Sequence, residues 1–580
     1  MREPARLLLV SLLFFCGCTG ILGNALNGGD SGGGDGAGPP PQYPLVDLPL
    51  PRLSHDEYLA TVRDLVTEVL PGEADAVLAD IMPAAALLPA DQLVGQPNDK
   101  HGGFARLDQT EQQEYADVPF DVAVKLGAEL TSTPARVAAL AGPCTNGGTS
   151  LDAACLTAFV QHFGELALRR PPSDDDVAFY AGTATASPAT PADLANVIAV
   201  MLSSPRFLYH VESGGDAIAP DTYGLDAWEL ASRLSYHFWG TMPDAALRDA
   251  ARSGALGTDE GYRAQVDRLF ASAKTTDTLR TFFHQWLWPL LELPALDSRA
   301  GDPVYRAFAG ADLPGPALRD HMVGDVLDAA SWTLAHGGTL DDLLTNTQSF
   351  ARDADLAAIY GVPPWDGVSD PPALPPERAG LLTRAAFLST GTINTRPIMK
   401  GVFIRTTILC DNIPPPPPNA ANTPIEVSTT ETTREVIESI TEQPGSACAG
   451  CHKPLINPLG FASESFDGLG RARTAQIFYD DTGKVVGEKA VDTTSVPAVL
   501  AGDATPSSGI GDVTRLVVES GKAARCLAQR YYRFAFRRIE TDADEPVLDT
   551  LYAEIKKGSL AEAMKSVALR PEFKQRTVTP

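Results

Sequence analysis

Apolar residues recur at helical spacing through most of the chain. Between 53 and 70, Tyr58, Val62, Leu65 and Val69 fall on one stripe, and Ser54 with Glu57 has the spacing of a capping box, so a helix over 53–70 is predicted. The same period predicts helices over 156–168, 194–202, 226–238, 262–270 and 317–334. Residues 545–557 read as a helix stopped by Gly558, and Ser559 with Glu562 reads as a second capping box opening the last helix. Strand-like alternation is scarce. It is clearest at 477–486, where Tyr479-Asp480-Asp481-Thr482-Gly483 between short apolar runs predicts a hairpin. The expected fold class is mainly α: a multi-domain helical protein with small β elements.

The breaks in this pattern suggest where the chain divides. Pro/Gly-rich stretches fall at 214–221, 362–376 and 414–422, and the five prolines at 414–418 must be extended, because proline fixes φ and lacks an amide donor. A chain of 580 residues exceeds what one core serves. The organisation read from these breaks is a signal peptide of lipoprotein type at 1–18, a flexible linker at 19–43 and an N-terminal helical domain at 44–140. A small helical domain at 141–213 and a central helical domain at 218–361 follow. Residues 377–490 and 495–580 form two further domains. No internal repeat is seen.

The first residues follow an export pattern. Arg2 and Arg6 precede an apolar run over 7–15 that is too short to span a bilayer, and Cys16-Gly17-Cys18 supplies small residues for cleavage. Phe15-Cys16-Gly17-Cys18 also reads as a lipobox with Phe15 where Leu is usual, which makes Cys18 the candidate lipidated residue; simple secretion is the alternative. The run at 24–41 (NALNGGDSGGGDGAGPPP) suits a tether. No later stretch reaches 18 uninterrupted apolar residues, so no transmembrane helix is predicted. The expected location is the cell envelope, periplasm or outer membrane, held by the lipid.

Charge narrows the partners. Lys plus Arg number 46 against 73 Asp plus Glu, a formal net charge of −27 that argues against a nucleic acid. An acidic surface suits solubility or a basic protein partner.

The chemistry lies in Cys448-Ala449-Gly450-Cys451-His452, a C-x-x-C-H string, the attachment motif of c-type haem. Two thiols three residues apart add to the two vinyl groups, and the adjacent imidazole reaches the iron. At this chain's Cys and His frequencies one such string arises by chance with probability about 0.002. A structural zinc site would want a second ligand pair at short spacing, which is missing; a reducible disulfide is the main alternative. One covalent haem c is therefore expected on Cys448 and Cys451, with His452 as iron ligand. After His452 no histidine follows, and the one methionine is Met564, whose helical face with Leu560 and Val567 suits core packing. Met399, in what reads as a loop, is the preferred sixth ligand. An open iron is one alternative and ligation by His237 or His284 another, although the aromatic neighbours of both histidines point to the core. Four further cysteines, Cys144, Cys155, Cys410 and Cys526, suggest disulfides outside the cytoplasm. Cys144 and Cys155 can pair locally, which leaves Cys410 with Cys526 across the haem segment, their Cα atoms within about 7 Å.

The haem segment, from Cys448 through Lys453-Pro454-Leu455-Ile456-Asn457-Pro458-Leu459-Gly460-Phe461 to Arg471, resembles a large family of exported bacterial proteins built from domains of unknown function. Some of its members carry a planctomycete-type cytochrome c module. Four more stretches are similar to that family: Arg52 to Tyr58 with Val62-Arg63-Asp64-Leu65; Phe163 to Pro171; Leu202 to Leu208; and Gly380 to Thr383, followed by Cys410 and the proline run. The resemblance implies the same domain order, with a cytochrome c-like haem-binding domain at 377–490 and a C-terminal helical domain at 495–580. It also implies that Arg471 and Arg473 form the basic end of the motif and can pair with haem propionates; a surface salt bridge is the alternative. Asn457 stands where Asp is usual, and Phe536 where Gly before Arg537 is common. The family's activity is not established, so three readings follow. The first is electron transfer with a redox partner in the envelope. The others are a peroxidase-like or oxygen-handling haem enzyme, and a surface-binding lipoprotein in which haem is secondary. The substrate is unknown.

Overall fold

A computed structural model describes residues 50–95, 103–145, 149–378, 380–414 and 428–577. The signal segment with Cys18, the tether at 24–41 and prolines 415–418 lie outside the described residues. The described residues within Leu48–Thr579 form one compact unit, mainly α, and among them are two small antiparallel sheets.

The first helix, His55–Val69, starts as its sequence dictates. Ser54 Oγ accepts the Glu57 amide and the Glu57 carboxylate accepts the Ser54 amide, while Tyr58, Val62, Leu65 and Val66 enter the core. Helices Ala153–Leu168, Pro191–Leu202, Ala227–Phe238, Asp259–Phe270 and Leu318–Ala335 cover the other predicted segments. β3 (Ala475–Tyr479) and β4 (Val485–Ala490) form the expected hairpin, with Ile477 opposite Glu488 and the turn closed by Asp480 accepting from the Thr482 and Lys484 amides.

The last helix is different. Glu545–Lys557 meets Gly558 as expected, but Ser559 makes no side-chain cap to the helix Leu560–Ser566. Glu562 turns to Lys565 Nζ instead, 2.9 Å away, and the Leu560 amide is satisfied by the Gly338 carbonyl. A second sheet lies where the sequence reads as a breakpoint: β1 (Ala217–Ala219) pairs with β2 (Thr222–Gly224), and the C-terminal β5 (Gln575–Thr577) adds antiparallel to β2.

Two large cores share the unit. One gathers Leu53 to Met242 around the first helices, and the other runs from Phe104 through Trp286, Met322 and Phe387 to Phe573. Buried charges join them. Glu57, 2% exposed, accepts from Arg537 Nη1 at 2.9 Å and from His210 Nε2 at 3.3 Å, with Arg106 Nε at 3.5 Å. Arg106 also caps the Tyr236 and His237 carbonyls at the end of Ala227–Phe238, where the helix dipole favours a cation. Among the described residues there are two disulfides, Cys144–Cys155 and Cys410–Cys526, with Cα separations of 5.5 and 5.3 Å. The second is the long-range pair the sequence suggested.

Candidate functional site

The C-x-x-C-H string folds as the short helix Ala447–Cys451, started by Ser446, whose Oγ accepts the Ala449 amide at 3.1 Å. It continues into a wide π-helical turn, His452–Ile456, and then into Asn457–Phe461, which opens with Pro458 in its first turn. Such wide turns in a helix often mark functional positions. Cys448 and Cys451 are free thiols, partly exposed, and His452 is likewise half-buried. Asn457 beneath them has no exposure.

A second segment fixes this one from behind. The helix Pro397–Phe403 runs against it with glycines at both crossings: a Cβ on Gly460 would meet the Pro397 carbonyl oxygen at 2.0 Å, and one on Gly401 the Ile456 oxygen at 2.1 Å. Arg405, on the same chain segment, donates to the Leu455 carbonyl at 3.1 and 3.0 Å and to the Pro497 and Ala498 carbonyls at 2.9 and 3.1 Å. Cys410 then bonds to Cys526, whose helix, Lys522–Phe536, lies in the main core.

Met399 is helical, a correction to its expected loop. Pro397 closes the first turn of that helix, where its missing amide costs nothing. Met399 stands two residues from both Pro397 and Gly401, so it projects from the opposite helix face, 39% exposed. Its neighbour Lys400 is buried, and its Nζ has no hydrogen-bond partner among the described residues. Burial pushes its pKa down to about 8 against the pull of Glu464.

Arg471 and Arg473 are engaged within the protein. Arg471 holds Asp467 Oδ2 at 2.8 Å and Asp312 Oδ2 at 3.0 Å, with the Phe308 and Ala309 carbonyls at 2.9 Å. Arg473 holds the Glu464 carbonyl and carboxylate, both at 2.9 Å. Met564 is fully buried in the core, as its helical face suggested. His237 is buried too, packed edge-on to Phe238 and Phe573 with Nε2 3.5 Å from Tyr531 Oη; burial first, then Arg106 and Arg537, hold its pKa far below the usual histidine range. His284 is half-buried.

Sequence reasoning did not find the partners of Glu57 or the isolated Lys400. Glu57 sits in Arg52–Tyr58, a stretch similar to the family, and Lys400 beside the candidate ligand Met399, but nothing in one sequence says which of the many arginines meet a given carboxylate or which lysine is buried.

The donor set suits a haem. Among the described residues no three His, Cys, Asp or Glu side chains converge as ligands of a single ion. Two reachable thiols beside an imidazole are what covalent attachment at a ring's edge and ligation at its centre require. No helix among the described residues is long and apolar enough to cross a membrane.

Three segments match known family models. Residues 155–212 match PSD5, a protein of unknown function (DUF1595); residues 225–362 match PSD4, a protein of unknown function (DUF1592); and residues 378–476 match PSCyt3, a protein of unknown function (DUF1588). Their succession along one chain supports a multi-domain family of unknown function. The third match contains the whole C-x-x-C-H segment, Met399, Arg471 and Arg473. No curated protein and no solved structure matches the chain.

Proposed function

We propose that this protein carries one covalent haem c on Cys448 and Cys451, with His452 as an iron ligand, and exchanges single electrons with a partner protein in the bacterial cell envelope. The state of the cysteines carries the reading. Four described cysteines pair in disulfides, while the two of C-x-x-C-H remain free, reachable and followed at once by an imidazole. The name PSCyt3, attached to the family model over this segment, points the same way. Bound there, the haem supplies a one-electron redox centre. The chain's own residues hold the attachment segment still: Gly401 and Gly460 allow two backbones to touch, and Arg405 ties Leu455 to the 497–498 loop. The export signal and Cys18 put this unit on a membrane surface by a lipid, and the acidic surface favours a basic partner.

The visible spectrum of the natively matured protein, with and without carbon monoxide, tests the electron-transfer role. A six-coordinate low-spin spectrum that carbon monoxide leaves unchanged supports it. Ready carbon monoxide binding would point to a haem enzyme instead.

A further inference from the structure

The hydrogen bonds around Asn457 admit one assignment. The Thr441 hydroxyl gives its hydrogen to the Ile437 carbonyl at 2.7 Å, so toward Asn457 it accepts. A Glu442 carboxylate oxygen accepts as well. Both lie 2.9 Å from the same end of the Asn457 side chain, which must therefore be the amide nitrogen. The other end, Oδ1, stands 3.1 Å from His452 Nδ1. A carbonyl oxygen only accepts, so Nδ1 carries the hydrogen and Nε2 keeps its lone pair.

The environment also explains why this residue is an amide. An Asp at 457 would set its carboxylate against that of Glu442, with the Thr441 hydrogen already committed to Ile437. The negative charge is thereby kept one residue away from the histidine. Among groups that can stand behind a ligating imidazole, a carboxylate raises its electron donation most, an amide carbonyl less and an apolar side chain not at all.

We infer that Asn457 is the positioning residue of this site: it holds His452 in the tautomer that presents Nε2, and as an uncharged acceptor it sets the reduction potential above that of a carboxylate-backed histidine. This rests on the haem reading given above. Glu442 is the second half of the device, because it fixes which end of the amide faces His452.

The test compares the natively matured full-length protein with Asn457→Leu and with the swap Asn457→Asp/Glu442→Gln, in which the new Gln amide can donate to the new carboxylate. Redox titration followed in the visible spectrum should order the midpoint potentials Leu variant, wild type, swap, from highest to lowest. Nitrogen-15 NMR of the unattached Cys448→Ala/Cys451→Ala protein should show His452 protonated at Nδ1, and the Asn457→Leu change in that background should mix the tautomers. Equal potentials in all three haem-bearing proteins, or His452 protonated at Nε2, would overturn the inference. If the wild type carries no haem, the haem reading fails on that result alone, while the NMR measurement still decides the tautomer. Should Asn457→Leu not fold, the swap against wild type carries the potential test.

Discussion

Removing the Glu57 carboxylate should cost this protein more than most single changes. Glu57→Ala deletes the acceptor shared by Arg537, His210 and the Ser54 amide, with Arg106 at 3.5 Å, and leaves two guanidinium groups facing a site with almost no water. Burial alone would raise the Glu57 pKa, but Arg537, His210 and Arg106 outweigh it and hold the group ionised well below the usual glutamate range. Breaking such a buried pair from one side costs about 3–5 kcal/mol. For a cooperative unit of about 530 residues the unfolding entropy is on the order of 1.1 kcal/mol per degree, so the melting temperature should drop by about 3–5 °C. Scanning calorimetry of wild type, Glu57→Ala, Arg537→Met and the double variant closes a cycle. The double variant should lose clearly less than the sum of the singles, because the orphaned cation goes with its partner. A shift below about 1 °C for Glu57→Ala, or strict additivity, would refute the idea that this ion group joins the two cores.

Three further outcomes follow from other parts of the structure. Burial and then Arg537 push the His210 pKa down to about 4, and burial with Arg106 and Arg537 holds His237 well below the usual histidine range, so unfolding takes up protons below the usual histidine value near 6.5. Stability from these two groups should be complete above pH 6.5 and fall as the pH drops toward 4; His210→Gln should flatten that slope in melts run across this range. Replacing Cys410 and Cys526 by Ser opens a loop of 116 residues' separation, which by chain entropy costs about 5 kcal/mol, and should lower the melting temperature by about 4 °C under non-reducing conditions, where unchanged melting would argue against it. Gly460→Ala drives a methyl into the Pro397 carbonyl, so the two segments must part at a cost of about 1–3 kcal/mol, and the yield of haem-loaded protein should fall; equal yield and stability would contradict the close crossing.

What could be read from the sequence was what neighbouring residues decide among themselves. Ser54 and Glu57 sit three apart and close their capping box without help, and the pattern on which the proposed haem attachment rests lies within the five residues of C-x-x-C-H. The Cys410–Cys526 bond was reachable by elimination, since the other cysteines had closer partners. Partners set by the fold were out of reach. Glu57 meets Arg537 across 480 positions, and β5 completes a sheet begun at 217, which nothing local announces. The segment around Met399 reads as a loop, yet Pro397 at the first helical position opens a helix there. Ser559 and Glu562 had the spacing of a cap, but Lys565 competed for the carboxylate and won.

The proposed electron transfer requires haem bonded to the chain through Cys448 and Cys451. Intact-mass analysis of the protein purified from a host with active cytochrome c maturation, denatured first so that any loosely held haem is lost, tests it directly. One species heavier than the processed chain by one haem is expected, and no such increment in the Cys448→Ala/Cys451→Ala variant. A wild-type mass without haem, or an increment that survives loss of both thiols, would contradict it.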